Sequence, residues 1–195
     1  MVILNLLWVV CSLPIFTMGA ATTALHAMTI KLVQNREKGV FTGFFHAFRE
    51  NFRQATLVWL PTLVVGIILV VDLYVCSRMD NGAASPLCIA IIALMVVLVA
   101  FGAYIFPVLA VFQNPLKKAV KNSFIMAFGY LPKTLLLLLI GFIPVLVFFA
   151  SASNMVLGLF VLVIAGASFP AWLAARVYNK VFAKCTVGVQ TPSLI

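Results

Sequence analysis

The chain has 195 residues, of which 65% are hydrophobic and 9% charged, with a formal net charge of +9 and a mean hydropathy of +1.20. Soluble domains carry roughly 45–50% apolar and about 25% charged residues, so a water-soluble fold of this size is excluded and lipid must serve as part of the solvent. The positive charge does not indicate a nucleic-acid binder, because the basic residues fall in short segments between long apolar runs rather than on one face of a soluble module.

Residues 2–30 carry no full charge. At 1.5 Å per residue they would make a helix of about 43 Å, longer than one crossing of a hydrocarbon core about 30 Å thick. Pro14 and Gly19 interrupt this run as predicted helix breaks, since proline lacks the N–H and clashes with the preceding turn. A hairpin is expected, with a short helix to about Phe16 and a second from Met18 to Val33; one kinked, tilted helix is the alternative. The chain starts directly in apolar sequence without the charged n-region of a signal peptide, so the expectation is either a clipped first membrane segment or a misassigned start site.

The first polar segment, 31–55, contains "VFTGFFHAFRENFRQA". At 100° per residue Phe41, Phe44, Phe45, Phe48 and Phe52 fall within about 60° of one line. His46, Arg49, Glu50 and Arg53 lie opposite. Such a pattern fits an amphipathic cytoplasmic helix in the headgroup plane. It fits equally a helix packed beneath its own bundle, and less well a partner-docking helix.

Thr56–Cys76 is the next predicted span, broken only by Asp72, and a turn-rich loop leads to the span Leu87–Phe112, with Pro107 as a predicted kink near its end. A second basic segment follows at 113–133. Two further spans, Thr134–Ala150 and Met155–Ala175, precede a basic tail. Five basic residues lie in 31–55, four in 113–133 and three in the tail, leaving Arg78 alone on the other side. The positive-inside rule then makes both basic loops and the C-terminus cytoplasmic. The fold class is all-α, a polytopic transmembrane bundle: six spans with both termini inside for the hairpin, five with the N-terminus outside for the single helix.

Among polar groups within the spans, Asp72 is expected near the outer interface, snorkelling, and His26 near the inner surface as a hydrogen-bonded packing residue. Neither has an ionisable partner with which to build a relay. The two basic segments look related, "VQN" and "FQN" each leading to "AF". A parallel duplication of 18–76 and 87–150 would explain this within the single domain 1–195, and shared loop composition explains it as well. Gly19, Thr23 and Ala27, spaced by four, allow close helix approach; bundle packing accounts for them, and a homo-oligomer is a further option. Cys76 and Cys88 flank one loop, where an oxidising compartment would permit a bond, but buried free thiols are the expectation. Cys185 is a juxtamembrane candidate for lipidation.

No zinc spacing, metal cluster, cofactor motif or catalytic signature occurs, and an enzyme is not expected.

The stretch "LNLLWVVCSLPIFTMGAATTALHAMTIKLVQNREKGVFTGFFHAFRENFRQATLVWL" closely resembles the start of the YesL-like bacterial membrane proteins, domain of unknown function 624. "YIFPVLAVFQNPLKKAVKNSFIMAFGYLPKTLLLLLI" resembles their second half and "LAARVYNKVF" their end. The resemblance covers nearly the whole chain. Members usually carry a further stretch before the first motif, which agrees with a clipped first helix. The resemblance implies a bacterial cell membrane location and, from gene neighbourhoods rich in carbohydrate uptake systems and sugar-degrading enzymes, a role beside a carbohydrate ABC transporter. It supplies no catalytic or ligand-binding residues.

Overall fold

The computed structural model describes residues 1–34, 39–78, 84–112, 115–150 and 166–187. In chain order the helices are α1 Val2–Ser12, α2 Met18–Val33, α3 Val40–Ser77, α4 Ala84–Val111, α5 Leu116–Gly129, α6 Leu131–Ala150 and α7 Ser168–Val187. No strand occurs among the described residues.

The first break is local chemistry. Pro14 is extended, with ψ 117°, and a single tight turn over Ile15–Thr17 leads into α2. The Thr17 hydroxyl lies 2.6 Å from the Cys11 carbonyl and 2.7 Å from that of Pro14, covering an acceptor that the end of α1 leaves open. The first helix therefore stops at Ser12 rather than near Phe16. Residues equidistant from the break meet: Trp8 Nε1 donates to Thr22 Oγ1 at 3.2 Å, and Leu4 shares an apolar cluster with Ala24, Ala27 and Met28. α1 thus folds back on α2 as a hairpin.

Gly39, with φ 154°, opens α3 in a backbone region that favours glycine. α3 then runs 38 residues without a break, about 57 Å. The amphipathic segment and the following span are thus one helix, not two, and Pro61 lies inside it. A proline inside a helix leaves the carbonyl four residues earlier without its N–H, which costs less than breaking a helix whose flanks are packed or lipid-clad. α4 returns antiparallel, and Cys76 at the end of α3 is disulfide-bonded to Cys88 at the start of α4, their Cα atoms 6.0 Å apart. The expectation of free thiols fails for this pair, because the hairpin brings them within bonding reach. Cys11 remains a free thiol.

α5 and α6 are separated by a bend of 99°, at the sequence Gly129-Tyr130-Leu131-Pro132. Glycine ends one helix here and proline suits the first turn of the next. α7 begins at Ser168 and carries the basic tail as helix. Its first turn is covered from the far end of the chain. The buried Asn5 side chain accepts hydrogen bonds from the backbone N–H groups of Ala167, at 3.0 Å, and Ser168, at 3.1 Å.

Among the described residues α3 and Pro86–Val111 of α4 are long and apolar enough to cross a membrane, and the bent pair Leu116–Gly129 with Leu131–Phe142 makes a third if counted as one span. The five or six spans expected from sequence exceed this. α1, with 11 residues, and α2, with 16, reach only about 16 and 24 Å, short of a core about 30 Å thick. Most of the last predicted span, 155–165 of it, lies outside the described residues.

Burial separates two zones. Tyr104, Ile105, Val108 and Leu109 of α4 are buried with Ala20, Ala55, Ala119, Ala175 and Tyr178 in the main core. The outer parts of α3 and α4 instead leave Ile67, Val70, Val71, Ile89 and Val99 exposed on an apolar surface. So much uncharged exposed surface suits acyl chains and not water. The chain is a helical membrane protein.

Candidate functional site

A polar seam crosses the centre of the bundle. Pro107 sits inside α4, which continues through it to Val111. Having no N–H, it leaves the carbonyl of Ala103 without its helical donor. The Tyr178 hydroxyl of α7 donates to that carbonyl at 2.5 Å. Tyr178 also meets the His26 ring of α2 edge-on at 5.8 Å and the Tyr104 ring at 6.0 Å. The Tyr104 hydroxyl lies 3.2 Å from the Thr134 hydroxyl of α6, which in turn lies 2.8 Å from the Ala127 carbonyl of α5. The seam thus links α2, α4, α5, α6 and α7 through groups that the apolar surroundings force to pair with one another.

Two cavities flank this seam. One, of about 310 Å³, is walled by Trp8, Leu25, Ile140, Pro170, Ala171 and Tyr178 among others. The second, of about 700 Å³, lies between α3, α4 and α6, against Trp59, Thr62, Val99, Phe106, Leu138 and Phe142. Thr22, His26, Ala103, Leu137 and Gly141 line both. Both walls are mainly apolar. Thr22 and Thr62 turn their hydroxyls back to the carbonyls of Met18 and Val58, at 2.7 and 2.8 Å. His26 Nδ1 is buried without a hydrogen-bond partner. His26 thus lines both cavities, and the hydrogen bond expected for it is missing at Nδ1.

The remaining residues singled out in the sequence are dispersed. Phe44 is fully buried and Phe48 and Phe52 pack against the core, whereas Phe41 is 60% and Phe45 41% exposed. The phenylalanine stripe is therefore divided between the bundle and its surface. Arg49 and Arg53 are exposed, and His46 Nδ1 lies 3.6 Å from Glu50. Asp72 is exposed on the outer part of α3, far from the seam. Gly19 is not in the break but in the first turn of α2, where a Cβ would stand 2.5 Å from Trp59 Cβ and 3.0 Å from the Ala55 carbonyl oxygen. Its role is close approach. Trp59 uses that proximity to donate Nε1 to the Ile15 carbonyl at 2.8 Å. Cys185 has no described side chain. The two proposed repeat units differ in form: the basic segment of the first continues into its span as α3, whereas in the second α5 and α6 are bent apart.

Sequence reasoning passed over Asn5, Tyr104 and Tyr178. A tyrosine three residues before a proline in an apolar run, and an asparagine in an otherwise largely apolar helix, are both groups that must find partners in lipid. That requirement was the available signal, but it names no partner. No group of three or more His, Cys, Asp or Glu side chains that could hold a metal ion occurs among the described residues.

No solved structure matches the chain. Residues 1–73 match the family described as "Protein of unknown function, DUF624". The chain is similar to "Uncharacterized protein YesL" of Bacillus subtilis (strain 168), at 26% identity over 147 residues, which cover 73% of this chain and 68% of that protein. The family match covers the first 73 residues, and the likeness to YesL extends over most of the chain.

Proposed function

We propose that the chain is a non-enzymatic membrane protein that assists a carbohydrate importer without itself forming the sugar path. The observation that carries this reading is the apolar wall of the two central cavities. A sugar brings many hydroxyls, and each one left unpaired in a dry site costs about 1–3 kcal/mol. A sugar site therefore needs several convergent donors and acceptors. Here the threonine hydroxyls are already turned to backbone carbonyls, and His26 is the main polar side chain left. The link to sugar uptake itself rests on the gene neighbourhoods of the resembling family.

The orientation belongs to the same proposal. The Cys76–Cys88 bond suits an oxidising compartment outside the cytoplasm. Exposed Arg49, Arg53, Lys117, Lys118 and Lys121 lie toward the opposite ends of α3 and α4, as the positive-inside rule asks of a cytoplasmic face.

Affinity isolation of the full chain in mild detergent should bring down an ABC transporter permease. The same chain alone in liposomes should pass no labelled maltose or glucose. A sugar flux from the purified chain alone would overturn the reading.

The second reading is a small oligomeric transporter, favoured by two cavities sharing His26. It predicts a solute flux in liposomes that His26→Phe abolishes.

A further inference from the structure

Five described glycines sit inside α2, α3, α4 and α6; a Cβ on Gly66 would make only ordinary contact, 3.7 Å from Leu98, and the other four divide into two kinds. A Cβ on Gly19 would collide with Trp59, and one on Gly43 would come within 2.8 Å of Met28 Sδ. Those two are small because a neighbour leaves no room. Gly102 of α4 and Gly141 of α6 are different, since a Cβ on either would meet nothing within 4 Å. Glycine in a helix interior is less favourable than alanine, and crowding offers no reason for it at these two positions. Both residues line the larger cavity.

That cavity has three properties that bear on its occupant. Its volume, about 700 Å³, falls inside the roughly 300–1,000 Å³ of small-molecule sites. Val99 and Phe142 on its wall are also more than half exposed on the outer surface of the bundle, so it opens sideways where the helices meet lipid. Its inner wall carries His26, whose Nδ1 is sealed and unpaired. A neutral imidazole has one donor and one acceptor nitrogen. Burying an unpaired N–H is the worse of the two arrangements, so the proton belongs on Nε2, which can then donate to an oxygen of the occupant.

We infer that the groove between α3, α4 and α6 is a binding site for one acyl chain of a membrane lipid, kept open by Gly102 and Gly141, with a lipid ester or headgroup oxygen near His26. The apolar wall supplies affinity through burial of the chain. The lateral opening lets the lipid enter from the bilayer. This inference requires only that the chain is embedded in lipid, and it stands or falls independently of any link to sugar import.

The test uses the full chain in nanodiscs of phosphatidylethanolamine and phosphatidylglycerol, doped with phosphatidylglycerol bearing a photoactivatable diazirine on one acyl chain. Light should attach the probe chiefly to peptides containing 96–106 and 137–142, and native mass spectrometry after detergent transfer should retain one lipid per chain. Gly102→Leu and Gly141→Leu, whose side chains enter open space, should each lower both signals at least tenfold while the protein stays monodisperse. Gly102→Ala, which fills little of the groove, should keep most of the signal and controls for folding. His26→Phe should retain the chain but weaken lipid retention. The inference is overturned if labelling is as strong on the exposed 64–71 surface as in the groove, if either leucine variant retains the lipid, or if the groove peptides cross-link instead to a second copy of the chain.

Discussion

The corner where α2 crosses α3 and the gap where α4 faces α6 are built from the same materials, apolar helices with glycines, yet they pack in opposite ways. At the first, Gly19 lets the backbone of α2 close on Ala55 and Trp59, and Trp59 reaches over to hold the turn at Ile15. At the second, Gly102 and Gly141 face open space beside a cavity of about 700 Å³. The difference teaches that a glycine in a membrane helix has no fixed meaning. It marks contact where a neighbour presses on it and vacancy where none does, and only the tertiary arrangement distinguishes the two.

The largest test of this contrast is Gly19→Ala. The added carbon cannot fit between α2 and α3 without moving the Ala55 carbonyl or the Trp59 Cβ. A cost of about 3 kcal/mol is expected, the upper end for overpacking a dense core. It would be read as a lower thermal midpoint in detergent, together with loss of the Trp59 bond to Ile15. An unchanged midpoint would mean that the two helices are not pressed together there.

Asn5→Leu should come next. Asn5 holds the first turn of α7 by accepting from two backbone N–H groups, and leucine is close in size but accepts nothing. Two buried donors would lose their partner, for about 2 kcal/mol. Faster hydrogen exchange at Ala167 and Ser168, with exchange in α3 unchanged, would mark the loss as local. Tyr178→Phe should cost less, about 1 kcal/mol for one hydrogen bond removed. It deprives the Ala103 carbonyl of the donor that stands in for the missing N–H of Pro107. Replacing Pro107 by alanine in the Tyr178→Phe background should restore most of that loss, since Ala103 then regains a helical donor. Additive losses would contradict the pairing of these two residues.

These three residues also show how far the sequence could be read. The apolar runs of α3 and α4 are legible from composition, because a span need only be long and uncharged, and the break at Pro14 is legible from the backbone restriction of proline. Gly19 was legible as a small residue at four-residue spacing, but the spacing does not say which partner it meets. The cover on α7 was not legible at all, since Asn5 and Ser168 are separated by 163 residues and nothing in either segment encodes the other. The phenylalanine stripe misled for a related reason. Periodicity reports that five rings share a face, whereas the bundle covers Phe44 and leaves Phe41 and Phe45 outside. It also cannot distinguish an interfacial helix followed by a span from one continuous helix such as α3, because both carry the same residues in the same order. Tyr178 was hidden by its position in a basic tail, where an aromatic residue reads as an interface marker and not as a partner for a proline-disrupted carbonyl about two turns inside another helix.

The smallest expected effect is the most discriminating, because its sign is opposite. Gly102→Ala is the same chemical change as Gly19→Ala, in an equally apolar helix. At Gly102 the new methyl group meets no atom within 4 Å, so no overpacking term opposes the gain in helix propensity, up to about 1 kcal/mol. Further stabilisation from burial of the methyl is small, since the wall around it is open. A modest rise in thermal midpoint is therefore expected, measured beside the fall for Gly19→Ala under one detergent and pH. The pair should separate most clearly in lipid-depleted samples. In lipid-replete samples the rise at position 102 should shrink, because an acyl chain in the groove then occupies part of the space that the methyl group enters. A fall of similar size at both positions would show that the gap between α4 and α6 closes when the protein is purified, and the contrast between the two interfaces would vanish with it.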